Sequence, residues 1–90
     1  MYKIKFSSTF KAEYKKYLKN THLMQEIDQV LFTLAKGELL SEKYRDHALL
    51  GRYKGLRECH IKPDLLLIYK IDKGELLLLL VRLGSHSQLF

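Results

Sequence analysis

Lys62-Pro63-Asp64-Leu65-Leu66-Leu67-Ile68-Tyr69-Lys70-Ile71-Asp72-Lys73-Gly74 decides the fold. The apolar run Leu65 to Tyr69 fits a buried strand or a buried helix on periodicity alone, but its length and its two borders select the strand. Pro fixes φ at the second position of a turn and Gly accepts a positive φ, so Lys62-Pro63-Asp64 and Asp72-Lys73-Gly74 read as tight turns on either side. Working outward, the flanking segments become antiparallel neighbours, and the sequence predicts a meander with strands over 52–61, 65–71 and 75–83.

The N-terminal half supplies a second layer. Tyr2-Lys3-Ile4-Lys5-Phe6 alternates apolar and charged residues with the period of a half-buried strand. Ser7-Ser8-Thr9 offers capping oxygens to a helix whose apolar stripe is Phe10, Tyr14, Tyr17 and Leu18, with Lys11, Lys15, Lys16 and Lys19 as its basic solvent face. Asn20 and Thr21 break and re-cap the chain. Leu23, Ile27, Val30, Leu31 and Leu34 then recur at three and four, with Gly37 placed as a C-cap. The short link predicts an antiparallel helical hairpin. Residues 38–51 have no sustained period and read as a loop with one helical turn. The order is β-α-α-β-β-β in a single domain over residues 1–90, an α+β fold with the hairpin packed on one face of an antiparallel sheet. The runs Leu65 to Tyr69 and Leu76 to Val81 are more apolar than one covered face requires, because alternate side chains emerge on the other. A partner, the C-terminal Leu89-Phe90 or the 38–51 loop is expected to cover that second face.

Composition bounds the function. Ninety residues, 47% of them hydrophobic, support one domain and exclude intrinsic disorder. The longest apolar run, Leu76 to Val81, is far below the roughly 18 to 20 residues that span a bilayer, so no membrane partner is expected. The N-terminus alternates charge where a signal peptide would be apolar, and the single Cys59 forms no disulfide framework; both suit a cytoplasmic protein. Sixteen Lys and Arg against ten Asp and Glu give a net charge of +6, which makes a polyanion the first partner to consider.

In a meander the end of the first strand, the start of the second and the end of the third share one sheet edge. Those places hold His60, Asp64 and His86, with Arg82 expected opposite Asp64 across the last hairpin and Ile71 opposite Glu75. His47 feeds the first of these strands from the loop, and Glu58 falls on the strand face of His60 by alternation. Imidazoles titrating near neutrality suit RNA cleavage, in which the 2′-hydroxyl loses a proton and the 5′-oxygen gains one; a guanidinium neutralises the phosphoryl oxygens and an aromatic stacks a base. Structural readings stand beside these: Asp64 as a turn former, Arg82 as its cross-strand ion-pair partner, Cys59 as a small buried hydrophobe, and Lys11, Lys15 and their neighbours as a solvated face.

The stretches Tyr44-Arg45-Asp46-His47-Ala48-Leu49, Arg57-Glu58-Cys59-His60-Ile61-Lys62-Pro63-Asp64 with Leu67-Ile68-Tyr69, and Arg82-Leu83-Gly84-Ser85-His86-Ser87-Gln88-Leu89-Phe90 together resemble the YafQ family of RelE-like bacterial toxins. The N-terminal half matches only in helical pattern and basic character. The resemblance implies a toxin of a type II toxin-antitoxin pair, an endoribonuclease that cuts mRNA, typically on the ribosome, and is silenced by a co-expressed antitoxin, with DNA engaged only through the antitoxin complex. It matches the family's functional histidines to His47, His60 and His86, its turn aspartate to Asp64 and its C-terminal aromatic to Phe90. Leu65 stands where members can carry Trp, and Ala48 where Pro is common. The resulting expectation is catalysis by His47, His60, Asp64 and His86, with Glu58 supporting His60 and with Arg82, Phe90, Lys11 and Lys15 on the RNA. No cofactor is expected, and the products carry a 2′,3′-cyclic phosphate or 3′-phosphate and a 5′-hydroxyl. Two alternatives remain open: a non-catalytic basic RNA- or DNA-binding module, and a metal-assisted nuclease with His47, His60, Asp64 and His86 as ligands.

Overall fold

A computed structural model describes the whole chain, Met1–Phe90. Strand β1 (Lys3–Phe6) leads into helices α1 (Ser8–Lys15) and α2 (Thr21–Ala35), and a 3-10 turn (Glu42–Tyr44) precedes the two-residue strand β2 (His47–Ala48). A second 3-10 turn (Gly51–Tyr53) is followed by β3 (Arg57–Lys62), β4 (Leu65–Asp72), β5 (Leu77–Gly84) and a short helix α3 (His86–Leu89). No helix is long and apolar enough to cross a membrane.

The caps expected from the sequence are in place. Ser7 Oγ accepts from the Phe10 N–H at 2.9 Å, and Asn20 Oδ1 accepts from the Leu23 N–H at 3.1 Å. Gly37, at φ 77, ends the segment after α2 where a side chain would be strained. Ile27, Val30, Leu31 and Leu34 of α2 and Phe10 of α1 pack on Cys59, Leu67, Tyr69, Leu78, Leu80 and Leu83, so both helices cover one sheet face. Cys59 is buried, as its residue type suggests, and burial pushes its thiol pKa up to about 12. The expected stripe on α1 is truncated: the helix ends at Lys15, and Leu18 falls in the following turn and is exposed.

The sheet order is β1-β5-β4-β3-β2. The meander forms, but the sheet is mixed, because β1 crosses over and pairs in parallel with β5, Lys3 beside Leu77 through Phe6 beside Leu80. The strand expected from residue 52 starts at Arg57, since Gly51 and Gly55 at φ 66 and 97 break the extended run. The last hairpin also corrects the expected register. Asp72 Oδ1 accepts from the Glu75 N–H, Leu76 turns through φ 52, and Ile71 faces Leu78 instead of Glu75. A bulge between Ile68 and Tyr69 then places Arg82 opposite Ile68, away from Asp64.

The second face carries its own small cluster, in which Leu66, Ile68 and Leu89 are buried beside Leu49, Leu56 and Val81. The C-terminal helix and the loops flanking β2 therefore cover the apolar residues that alternation sends to that side.

Candidate functional site

This second face gathers the titratable groups. Partners across a strand pair share a face, so His47 beside Glu58, Glu58 beside Ile68, and His60 beside Leu66 all project toward the side of α3. His47 Nε2 and His60 Nε2 each lie 3.4 Å from Glu58 Oε1, and the two rings sit 6.1 Å apart. Glu58 is buried, His60 half-buried and His47 exposed. On the other side of the His47 ring, Nδ1 is 2.7 Å from the carbonyl oxygen of Arg45. A carbonyl only accepts, so Nδ1 carries hydrogen and Nε2 is left to face Glu58. Glu58 lies on the strand face of His60, as alternation alone predicts, and it reaches His47 as well.

The second group is built at the start of α3. Ser85 Oγ accepts from the Gln88 N–H while Gln88 Oε1 accepts from the Ser85 N–H at 2.9 Å, a reciprocal capping box. Gln88 lies over Gly84, where a Cβ would meet its Oε1 at 2.8 Å. Asp64 Oδ1 accepts from the His86 N–H at 3.3 Å, which ties the Pro63-Asp64 turn to the new helix. Asp64 thus acts on His86 through the backbone. The His86 ring lies 5.2 Å from Phe90, which meets Tyr53 edge-on at 5.3 Å. His60, Leu66 and Gly84 stand in one row across three strands, so the two groups start from backbone positions about 10 Å apart at two inter-strand spacings.

Arg82 is engaged elsewhere. Its Nε and Nη2 donate to both oxygens of Glu13 at 2.9–3.2 Å, and the Leu83 N–H donates to Glu13 Oε1 at 2.9 Å. Strand β1 pairs with β5 only as far as Leu80, so the Glu13 carboxylate serves where β1 has run out. This pairing holds the Arg82 pKa above its ordinary value. Lys11 and Lys15, on α1, belong to the helical layer across the sheet from the histidines.

Two scaffolding carboxylates were not singled out from the sequence. Glu13 lies three residues after Phe10, inside the apolar stripe, and an acid in the buried stripe of a basic helix was the available signal. Asp46, next to His47, accepts from the hydroxyl of buried Tyr69 and from Arg57 Nη2 at 3.1 Å, anchoring the base of the His47 segment. Burial, reinforced by Asp46, raises the Tyr69 pKa. Nothing in the local pattern announced that bond, because Tyr69 reaches Asp46 from two strands away.

His47 Nε2, Glu58 Oε1 and His60 Nε2 lie within 4.8 Å of one another, a donor set that suits a borderline divalent ion such as Zn²⁺ or Cu²⁺. Asp64 and His86 are not part of that cluster, so the four-ligand set expected for a metal is corrected to these three.

The fold and this face define a class of small bacterial toxins: a family model described as the bacterial toxin of a type II toxin-antitoxin system, YafQ, matches residues 2–90. The mRNA interferase toxin YafQ of Escherichia coli K12 is 36% identical over 89 residues, spanning 97% of this chain and 94% of that one. A metal-bound toxin from Helicobacter pylori superposes with a TM-score of 0.91 at 48% identity, each chain fully covered. YafQ in the E. coli DinJ-YafQ complex superposes with a TM-score of 0.87 at 32% identity, covering 100% of this chain and 99% of that one. The chain belongs to the YafQ toxin family.

Proposed function

We propose that this chain is an endoribonuclease that cleaves mRNA on the ribosome in the cytoplasm, and that a co-expressed acidic antitoxin binds and silences it. The observation that supports it most is the convergence of His47 and His60 on Glu58, on the sheet face that also carries His86. Family membership and the net charge of +6 favour the RNA and the acidic partner.

Cleavage needs one group to take the proton of the 2′-hydroxyl and another to protonate the departing 5′-oxygen. His86, exposed and set by its backbone at the start of α3, supplies one of these transfers. The His47–Glu58–His60 cluster supplies the other, with Glu58 holding a protonated Nε2 of either ring in position. Phe90, 47% exposed and braced by Tyr53, offers its remaining face to an unpaired base. Arg82, within β5, is held in place by Glu13 and adds positive charge near that strand's end.

The test is His86→Ala. Removal of a general acid or base lowers turnover by about 10²-fold to 10⁴-fold. His86 is exposed, so the variant should unfold at the parental temperature. Parental cleavage by a folded His86→Ala would refute the assignment.

The three-ligand cluster favours a second reading, metal-assisted cleavage, and the metal-bound state of the H. pylori relative points the same way. A Zn²⁺ or Cu²⁺ ion held by His47, Glu58 and His60 would supply a Lewis acid for a phosphoryl oxygen. Under the first reading, cleavage survives EDTA as long as the substrate remains intact. Loss of activity that Zn²⁺ restores and Mg²⁺ does not would select the second.

A further inference from the structure

Strand β2 covers β3 only at Arg57 and Glu58, and the uncovered end of β3 borders a cavity of about 350 Å³. Its wall brings together Lys43 and Arg45 from the turn before β2, Lys62 from the end of β3, and His60, with Tyr44 and Glu26. Glu26 is the one carboxylate there. Lys62 pairs with its Oε1, Lys43 Nζ lies 3.8 Å from its Oε2, and the Tyr44 hydroxyl donates to Oε2 at 3.4 Å. Three cations therefore face one negative charge, and the exposed Arg45 makes no ion pair.

The Arg45 backbone is also unusual. Its φ of 52 lies in the left-handed region, uncommon for a residue other than Gly, Asn or Asp. That conformation closes the preceding turn, with the Arg45 N–H donating to the Glu42 carbonyl at 3.0 Å, and brings the Arg45 carbonyl to His47 Nδ1. One residue thus orients His47 through its backbone and lends an uncommitted guanidinium to the cavity that has His60 in its wall.

We propose that this cavity is a phosphate subsite: Arg45, with Lys43 and Lys62, holds a backbone phosphodiester of single-stranded RNA that flanks the bond being cut. The inference takes its ligand from the ribonuclease reading above. A guanidinium presents a planar fork of donors that matches phosphate oxygens, and the two ammonium groups add charge without directional demand. Glu26 keeps Lys62 against the wall and limits the excess charge to what one or two phosphates require. The other cations expected on the RNA are less well placed, since Arg82 is committed to Glu13 while Lys11 and Lys15 lie in the helical layer.

The test measures binding of a single-stranded RNA made uncleavable by 2′-deoxy substitution, across a salt series. Arg45→Asn removes the charge with a side chain that tolerates the left-handed backbone. It should weaken binding about tenfold, as expected for loss of one charge-assisted hydrogen-bonded contact. The slope of log affinity against log salt should flatten by about 0.7, the single-strand value for one phosphate contact. Arg45→Lys should recover the slope, and Lys43→Gln, on the same wall, should flatten it independently. A methylphosphonate at the matching phosphate should weaken binding by the parent at least as much as Arg45→Asn does, and should cost Arg45→Asn less than it costs the parent. Parental slopes in both Arg45→Asn and Lys43→Gln, or a larger loss in Lys11→Gln/Lys15→Gln than in Arg45→Asn, would overturn the proposal. Binding is read without turnover, so an all-ribose mRNA that binds through Arg45 and stays intact when translated on ribosomes with the parent protein would overturn the ribonuclease reading alone.

Discussion

Glu13→Ala tests whether one carboxylate holds the top of β5. In the native structure Glu13 is buried and accepts from Arg82 at 2.9–3.2 Å and from the Leu83 N–H at 2.9 Å. Truncation leaves the Leu83 amide without an acceptor, a loss of about 1–3 kcal/mol for a buried donor. It also strips Arg82 of its partner. The Arg82 side chain is 35% exposed and regains water, so this second loss is nearer the ~1 kcal/mol of a screened pair than the full penalty of a buried ion. The expected total is about 3 kcal/mol, which at about 4–8 °C per kcal/mol for a domain of this size lowers the unfolding midpoint by about 12–24 °C. Glu13→Gln keeps an oxygen for Leu83 and should lose less than half of that. Calorimetry of both variants, with Arg82→Met and the double variant, closes a cycle in which the Glu13 effect shrinks once Arg82 is gone. A midpoint drop below about 4 °C for Glu13→Ala, at about 4–8 °C per kcal/mol, would refute the account.

Two further outcomes follow from single groups. Lys62 holds the Glu26 pKa below the ordinary carboxylate value of 4.5, so the carboxylate stabilises the fold above that value and loses its contribution as pH falls through the lowered one. The stability gap between the parent and Glu26→Gln, measured by urea unfolding, should therefore close as pH falls below the ordinary value of 4.5, and a constant gap would contradict the pairing. Cys59, buried with its thiol pushed up to about 12, should resist iodoacetamide at pH 8 until the chain unfolds; rapid native labelling would mean that this core position opens.

The parts of the fold that were legible in the sequence are those with local causes. The Pro63-Asp64 turn, the Asn20 cap, the α2 stripe and the shared face of Glu58 and His60 follow from the period of a helix or strand and from turn chemistry. The parallel pairing of β1 with β5 was not legible, because the alternation in Lys3–Phe6 says that a strand forms but not which edge receives it. The position of Arg82 was lost for a different reason: a bulge at Ile68 and the left-handed Leu76 add residues to the hairpin count, and each extra residue shifts every partner beyond it. At the site, strand alternation put Glu58 on the face of His60, whereas His47 came from the motif alone, because the strand argument left its position open. Arg45 was quoted only as part of a motif, since the role proposed for it depends on a backbone angle and on a cavity shared with residues fifteen or more positions away.

The unequal size of the two apolar clusters has a consequence for time as well as for shape. Fifteen buried side chains anchor α1 and α2 to the sheet, whereas α3 is anchored by Leu89 on a cluster of three, by the Asp64 bond and by its own capping box. A segment with so little burial opens at a fraction of the global unfolding free energy. The amides of Leu89 and Phe90, bonded only to Ser85 and His86 within that turn, should exchange with solvent well before those of Leu67 and its neighbours in β4. His86 should therefore leave its place more often than the rest of the protein unfolds, and under the proton-transfer role proposed for it that occupancy would multiply directly into the turnover rate.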